Sequence, residues 1–219
     1  MSVSFQAALI GAAAAVALAA CGTGQPSFDS VDITGADFGR ELHLVDHTGR
    51  PRTLADFRGK VVVVFFGYTH CADVCPTTLA EMKLAKTLLG RDGARLQVLF
   101  VTIDPERDSP ELLANYVPAF DPSFLGLYGD AEATARAAKE FKVLYEKVPG
   151  TTPGSYSMDH TAGSYLYDPQ GRLRLFAKLG QGPDALARDI ERLLRSSARS
   201  RRRSSGPRRS RARPAAARG

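Results

Sequence analysis

Phe57-Arg58-Gly59-Lys60-Val61-Val62-Val63-Val64-Phe65-Phe66-Gly67-Tyr68-Thr69-His70-Cys71-Ala72-Asp73-Val74-Cys75-Pro76 is the stretch on which the fold turns. Within residues 60–66, everything after Lys60 is an unbroken β-branched and aromatic run. Such a run suits a strand buried on both faces of a sheet, where no polar alternation is needed. Residues 67–74 read as a loop. Pro76 fits a first helical position, where a missing N–H costs nothing. Leu79, Met82, Ala85 and Leu89 then repeat at helical spacing, and Gly90 supplies a stop.

Outward from this unit, residues 96–103 (Leu96-Gln97-Val98-Leu99-Phe100-Val101-Thr102-Ile103) predict a second strand. Ser109-Pro110 starts a helix to about Val117, and Asp130 caps another that ends near Phe141. Two strands are expected at residues 164–167 and 173–177, joined by the hairpin signal Asp168-Pro169-Gln170-Gly171. A last helix runs from Pro183 to about Arg195 and buries Leu186, Ile190, Leu193 and Leu194. The order is α/β, with a cysteine pair where the first buried strand hands over to a helix. It implies a thioredoxin-like sheet flanked by helices, with an N-terminal extension and an inserted loop or hairpin around residues 146–157.

The 219 residues suffice for one domain plus tails. The formal charge of +6 belongs to the C-terminal tail: nine of the 29 Lys and Arg lie in residues 196–219, which hold no acid. The rest of the chain carries 20 basic against 23 acidic side chains, so the basic pI does not mark the domain as a specific nucleic-acid binder. Residues 7–20 are apolar, too short a run to span a bilayer comfortably and suited to a signal peptide. The run ends at Leu18-Ala19-Ala20-Cys21, which resembles a bacterial lipobox. The expected organisation is a signal peptide at 1–20, a lipidated Cys21 and tether at 21–38, the domain at 39–195, and a disordered Arg-rich tail at 196–219. The expected location is a membrane-anchored lipoprotein facing the bacterial periplasm.

Lipidation of Cys21 leaves Cys71 and Cys75 as the pair in the domain. Spaced by four, their sulfurs can converge on one point. A helix N-terminus favours negative charge there, and the thiolate is the form that binds metal or attacks a disulfide. An oxidising compartment also permits a disulfide between them. Among four histidines, His43 and His47 lie in a polar early hairpin and His70 reads as a solvent contact. His160 precedes the strand at 164, in a loop that faces the cysteine pair in a thioredoxin-like fold. Two thiolates and one imidazole form a soft set suited to Cu(I), and with a further oxygen to Cu(II). Structural zinc wants four protein ligands, and the domain has no third cysteine.

These residues resemble the Sco/SenC family over residues 31–195. The matching stretches are Ile33-Thr34-Gly35-Ala36-Asp37-Phe38-Gly39, residues 57–79, Val101-Thr102-Ile103-Asp104-Pro105-Glu106-Arg107-Asp108 and Asp159-His160. The resemblance implies a copper-binding metallochaperone for the dinuclear copper centre of cytochrome c oxidase. Its partner would be subunit II or another copper-assembly protein, served by copper delivery, by reduction of the target's cysteines, or by both. Cys71, Cys75 and His160 would be the ligands, with Cys71 and Cys75 also a redox-active pair. Asp73 and Asp104 would shape the surroundings. The family commonly has Pro where Ala72 stands, a change that frees the loop and removes no ligand.

A general thiol–disulfide oxidoreductase, a peroxiredoxin-like enzyme and a redox sensor are the competing readings. Thioredoxin-like redox enzymes usually carry C-x-x-C and a proline before the facing strand. Here the spacing is one longer and Thr161-Ala162-Gly163 has no proline. Both differences favour metal binding over fast exchange.

Overall fold

The computed structural model describes residues 27–204, with side chains through residue 197. In chain order the strands are β1 (Val31–Asp32), β2 (Leu44–Asp46), β3 (Pro51–Arg52), β4 (Val61–Gly67), β5 (Leu96–Thr102), β6 (Leu125–Tyr128), β7 (Tyr145–Pro149), β8 (Tyr156–His160), β9 (Gly163–Tyr167) and β10 (Leu173–Lys178). The helices are α1 (Val74–Leu88), α2 (Pro110–Tyr116), α3 (Ala131–Glu140) and α4 (Pro183–Ser204). Eight strands form one sheet in the order β1-β10-β9-β4-β5-β6-β2-β3, and β7 and β8 form a separate hairpin. β4, β5 and β6 are parallel, while β9 runs antiparallel to β4. The architecture is thioredoxin-like, as the element order implies.

Every residue of β4 and β5 is buried, as their continuous apolar runs require. α1 lays Leu79, Met82 and Ala85 into the core and packs against α4. Gly90, at φ +53°, ends it. Ser109 caps α2 by accepting from the Leu112 N–H at 3.2 Å, and Asp130 caps α3 through the Ala133 N–H at 2.7 Å. Pro76 is the third residue of α1, not the first. The first four helical N–H groups have no partner within the helix, so its missing donor still costs nothing.

Three features depart from expectation. The domain begins before residue 39: β1 pairs with β10, and Phe28, Ile33 and Phe38 pack on the core. The fully buried Asp189 of α4 ties this segment down, accepting the Asp29 and Ser30 N–H groups at 2.9 and 2.8 Å. α4 continues to Ser204 where a stop near Arg195 is expected. Ala and Arg are good helix formers, and no Gly or Pro interrupts the chain before Gly206-Pro207. β6 has no counterpart in the sequence reading. Cys21 and the 1–20 segment lie outside the described residues.

At the far edge, β2 and β3 form the early hairpin. His43 is exposed there, but His47 is half-buried, its Nδ1 accepting the Gly126 N–H at 3.0 Å. Asp46 organises the turn, taking bonds from the Thr48 hydroxyl at 2.6 Å, the Thr48 and Arg50 N–H groups, and Arg52 at 2.7 Å. Burial works to raise its pKa, but the Thr48 hydroxyl, Arg52 and the backbone donors outweigh it and hold the carboxyl at about 2. With the folded pKa below the unfolded one, the stabilisation is present above about pH 4 and is lost as pH falls toward 2. Asp46→Asn is expected to cost about 1–2 kcal/mol near neutral pH. Urea melts from pH 7 down to pH 2 check this, with the gap to wild type closing at the acid end.

Candidate metal centre

The pairing of β4 with β9 assembles the site. Phe65 faces Ser164 across the two strands, which brings the end of β8, just before β9, over the end of β4. After Gly67 the chain turns through Tyr68 and enters α1. Cys71 lies in that turn, partly exposed, and Cys75 is the second residue of α1, fully buried. The Cys75 N–H donates to the Cys71 sulfur at 3.3 Å. The Cys75 sulfur lies 3.9 Å from His160 Nε2. Both cysteines are free thiols.

The His160 tautomer follows from its other nitrogen. Nδ1 sits 3.0 Å from the Thr161 carbonyl, which can only accept, so Nδ1 carries the proton. Nε2 therefore turns a lone pair to Cys75. Metal-bound histidines are oriented in the same way, by donating the remote N–H to a carbonyl. The rings of Phe65 and Tyr68 stand edge-on to the imidazole, each with centroids 6.3 Å away.

Burial pushes the Cys75 thiol well above its ordinary range; the Tyr68 backbone bond opposes this and the neighbouring Cys71 and Asp108 add to it. The helix N-terminus was expected to favour a thiolate, and at Cys75 desolvation overrides it. The neutral thiol lies 3.9 Å from His160 Nε2, and a soft ion would take the place of its proton.

Among the described residues, no three His, Cys, Asp or Glu side chains converge closely enough to hold an ion as they stand. Cys75 and His160 already face one another, and the partly exposed Cys71 meets the Cys75 N–H through its sulfur. The donor set fits a soft, low-coordinate ion.

Asp73 is exposed at the head of α1 and bonds the Thr77 hydroxyl at 3.3 Å. Asp104 is buried and accepts from Tyr156 and Arg107, away from the sulfurs. His70 is half-exposed, 3.1 Å from the Thr69 hydroxyl. The residue that sequence reasoning passes over is Asp108. Buried, it accepts from the Thr69 N–H (3.0 Å), the Thr69 hydroxyl (2.6 Å) and the Thr102 hydroxyl (2.6 Å), fastening the cysteine turn to the end of β5. Only its place in the stretch 101–108 marks it beforehand. Gly67 is required by space: a Cβ there would lie 2.8 Å from the Cys75 sulfur and 2.9 Å from the Phe100 ring.

The unequal burial of the two thiols has a direct consequence. Cys71 is expected to react with iodoacetamide at least about tenfold faster than Cys75, whose sulfur is desolvated and held neutral. Mass spectrometry of Cys71→Ser and Cys75→Ser time courses measures both rates. Gly67→Ala is expected to cost about 1–3 kcal/mol by crowding Cys75, and to narrow that rate difference.

A family model described as SCO1/SenC matches residues 31–195. The human mitochondrial SCO2 homolog is 41% identical over 133 residues, covering 60% of this chain and 50% of the relative. Mitochondrial SCO1 of Saccharomyces cerevisiae is 39% identical over 136 residues, covering 61% and 46%. The chain thus spans about half the length of the curated relatives it matches. The copper-bound structure of Bradyrhizobium japonicum ScoI superposes with TM-score 0.65 at 39% identity, over 72% of this chain and 99% of that one. Copper-bound yeast Sco1 gives 0.68 at 31% identity, over 79% and 97%. Apo Sco1 of Thermus thermophilus gives 0.69 at 39% identity, over 78% and 99%. With the family model spanning the whole sheet and the strand–turn–helix that carries the cysteines, the chain belongs to the SCO1/SenC family.

Proposed function

We propose that the chain is a copper metallochaperone, taking one copper ion on Cys71, Cys75 and His160 and serving assembly of the dinuclear copper centre of cytochrome c oxidase. The observation that carries this reading is the Cys75 sulfur lying 3.9 Å from Nε2 of His160, with the Cys71 sulfur bonded to the Cys75 N–H. Family membership and the copper-bound structures from Bradyrhizobium japonicum and yeast support it. The ion is cargo. Cys75 gives up its proton on loading, and the imidazole supplies a neutral donor that oxidation cannot remove. The recipient proposed is subunit II or another copper-assembly protein.

The partly exposed Cys71 beside the buried Cys75 also favours a second use of the same pair, reduction of a target disulfide. Cys71 attacks, Cys75 resolves the mixed disulfide, and the two thiols leave as one disulfide with two electrons passed to the target. We further propose anchoring through a lipid on Cys21, at the periplasmic face of a bacterial membrane. A SCO1/SenC family lipoprotein from Bacillus anthracis, 25% identical with TM-score 0.60, supports this. Among the described residues no helix is long and apolar enough to cross a membrane.

Titration of the reduced chain with Cu(I) under a competing chelator is expected to give one equivalent. Cys71→Ser or Cys75→Ser should abolish it, and the disulfide form should bind only weakly. His160→Ala should keep Cu(I) on two sulfurs and lose Cu(II); unchanged Cu(II) binding would remove His160 from the site. Because burial keeps Cys75 protonated, loading expels a proton, so affinity should rise by about tenfold per pH unit for each proton released across the neutral range.

A further inference from the structure

β8 carries His160, yet β7 and β8 pair only with each other and not with the main sheet. The β4–β9 register therefore brings the end of β8 to the cysteines but leaves the rest of the strand that carries His160 outside the main sheet. Along β8, residues 156, 158 and 160 share one face because side chains alternate. Met158 is buried and His160 meets Cys75. Tyr156, at the far end of the same stripe, is gripped by Arg107.

The grip is closed on itself. Arg107 Nη1 donates to the Tyr156 carbonyl at 2.9 Å, and its guanidinium lies 3.5 Å from the centre of the Tyr156 ring. Arg107 Nε donates to Asp104, and the Tyr156 hydroxyl donates to the other Asp104 oxygen at 2.8 Å. The same guanidinium lies 5.8 Å from the ring of Tyr68, whose edge-on contact is His160. Arg107 Nη2 is buried without a partner among the described residues, so the group is held where it is by its other contacts. The exposed Lys147–Glu106 pair also reaches the hairpin, but solvent screens it.

We propose that Arg107 is a positioning residue for His160: by clamping Tyr156 it holds the stripe 156–158–160 against the body of the domain and sets how strongly the imidazole acts as third ligand. Arg is required because only its planar fork both stacks and donates along two edges. The part concerning the metal rests on the copper reading; the part concerning the hairpin does not.

The test uses the full chain with Arg107→Met, Arg107→Lys and Tyr156→Phe. In metal-free protein, amide hydrogen exchange across residues 145–160 is expected to be about tenfold faster in both Arg107 variants, with β4 and β5 unchanged. Tyr156→Phe keeps the stacking and the carbonyl acceptor and should be intermediate. Cu(II) affinity should fall by about tenfold in the Arg107 variants, while Cu(I), held by two sulfurs, changes by less than about twofold. Wild-type exchange in the hairpin would overturn the proposal. So would an equal fall in Cu(I) and Cu(II) affinity with faster exchange throughout, which marks a merely structural residue. If the wild-type chain takes up neither copper state, the copper reading fails, and the hairpin exchange alone decides whether Arg107 holds the His160 strand.

Discussion

The antiparallel pairing of β4 with β9 is the contact on which the site depends, because it closes an 85-residue gap between Cys75 and His160. β4 is sealed on both sides by neighbours, β5 on one edge and β9 on the other, and a slip by one residue would turn apolar side chains out of register with the core. Gly67 ends this strand at a point where a side chain would displace the Cys75 sulfur. The core and the metal centre therefore share one constraint, and stability of the sheet is also precision at the site.

Electrostatics at the site follow from burial more than from the helix dipole. A fully desolvated Cys75 stays a neutral thiol beside the His160 ring, so its sulfur holds no charge that the interior would have to carry. On the loading proposed above, the ion's charge would arrive as the Cys75 proton leaves. The carboxylates nearby are occupied otherwise: Asp108 with two hydroxyls and a backbone N–H, Asp104 with Arg107 and Tyr156. They brace the loops around the two sulfurs and the imidazole.

What could be read in advance was local. The run Lys60 to Phe66, the stripe Leu79-Met82-Ala85-Leu89, the caps at Ser109 and Asp130 and the turn at residues 168–171 each sit within a few residues of the element they specify. β6 is four residues long with a glycine inside it, and β1 is two; such strands exist only because a distant partner is present. The cysteines were legible from spacing and from the strand before them. His160 was legible only once a fold had been assumed. Asp108, Tyr68 and Arg107 were not singled out, since nothing in a sequence distinguishes a buried clamp from an ordinary surface charge. The helix dipole is a local influence, and at Cys75 desolvation outweighs it.

The central claim is that one copper ion is shared by two sulfurs and one imidazole. X-ray absorption at the copper edge, on reduced chain loaded with one equivalent, addresses it most directly. Two thiolates and one imidazole give a first shell of two sulfur scatterers with one imidazole nitrogen, the nitrogen lost in His160→Ala. A shell of nitrogen and oxygen alone, or a sulfur shell identical with and without His160, would contradict it.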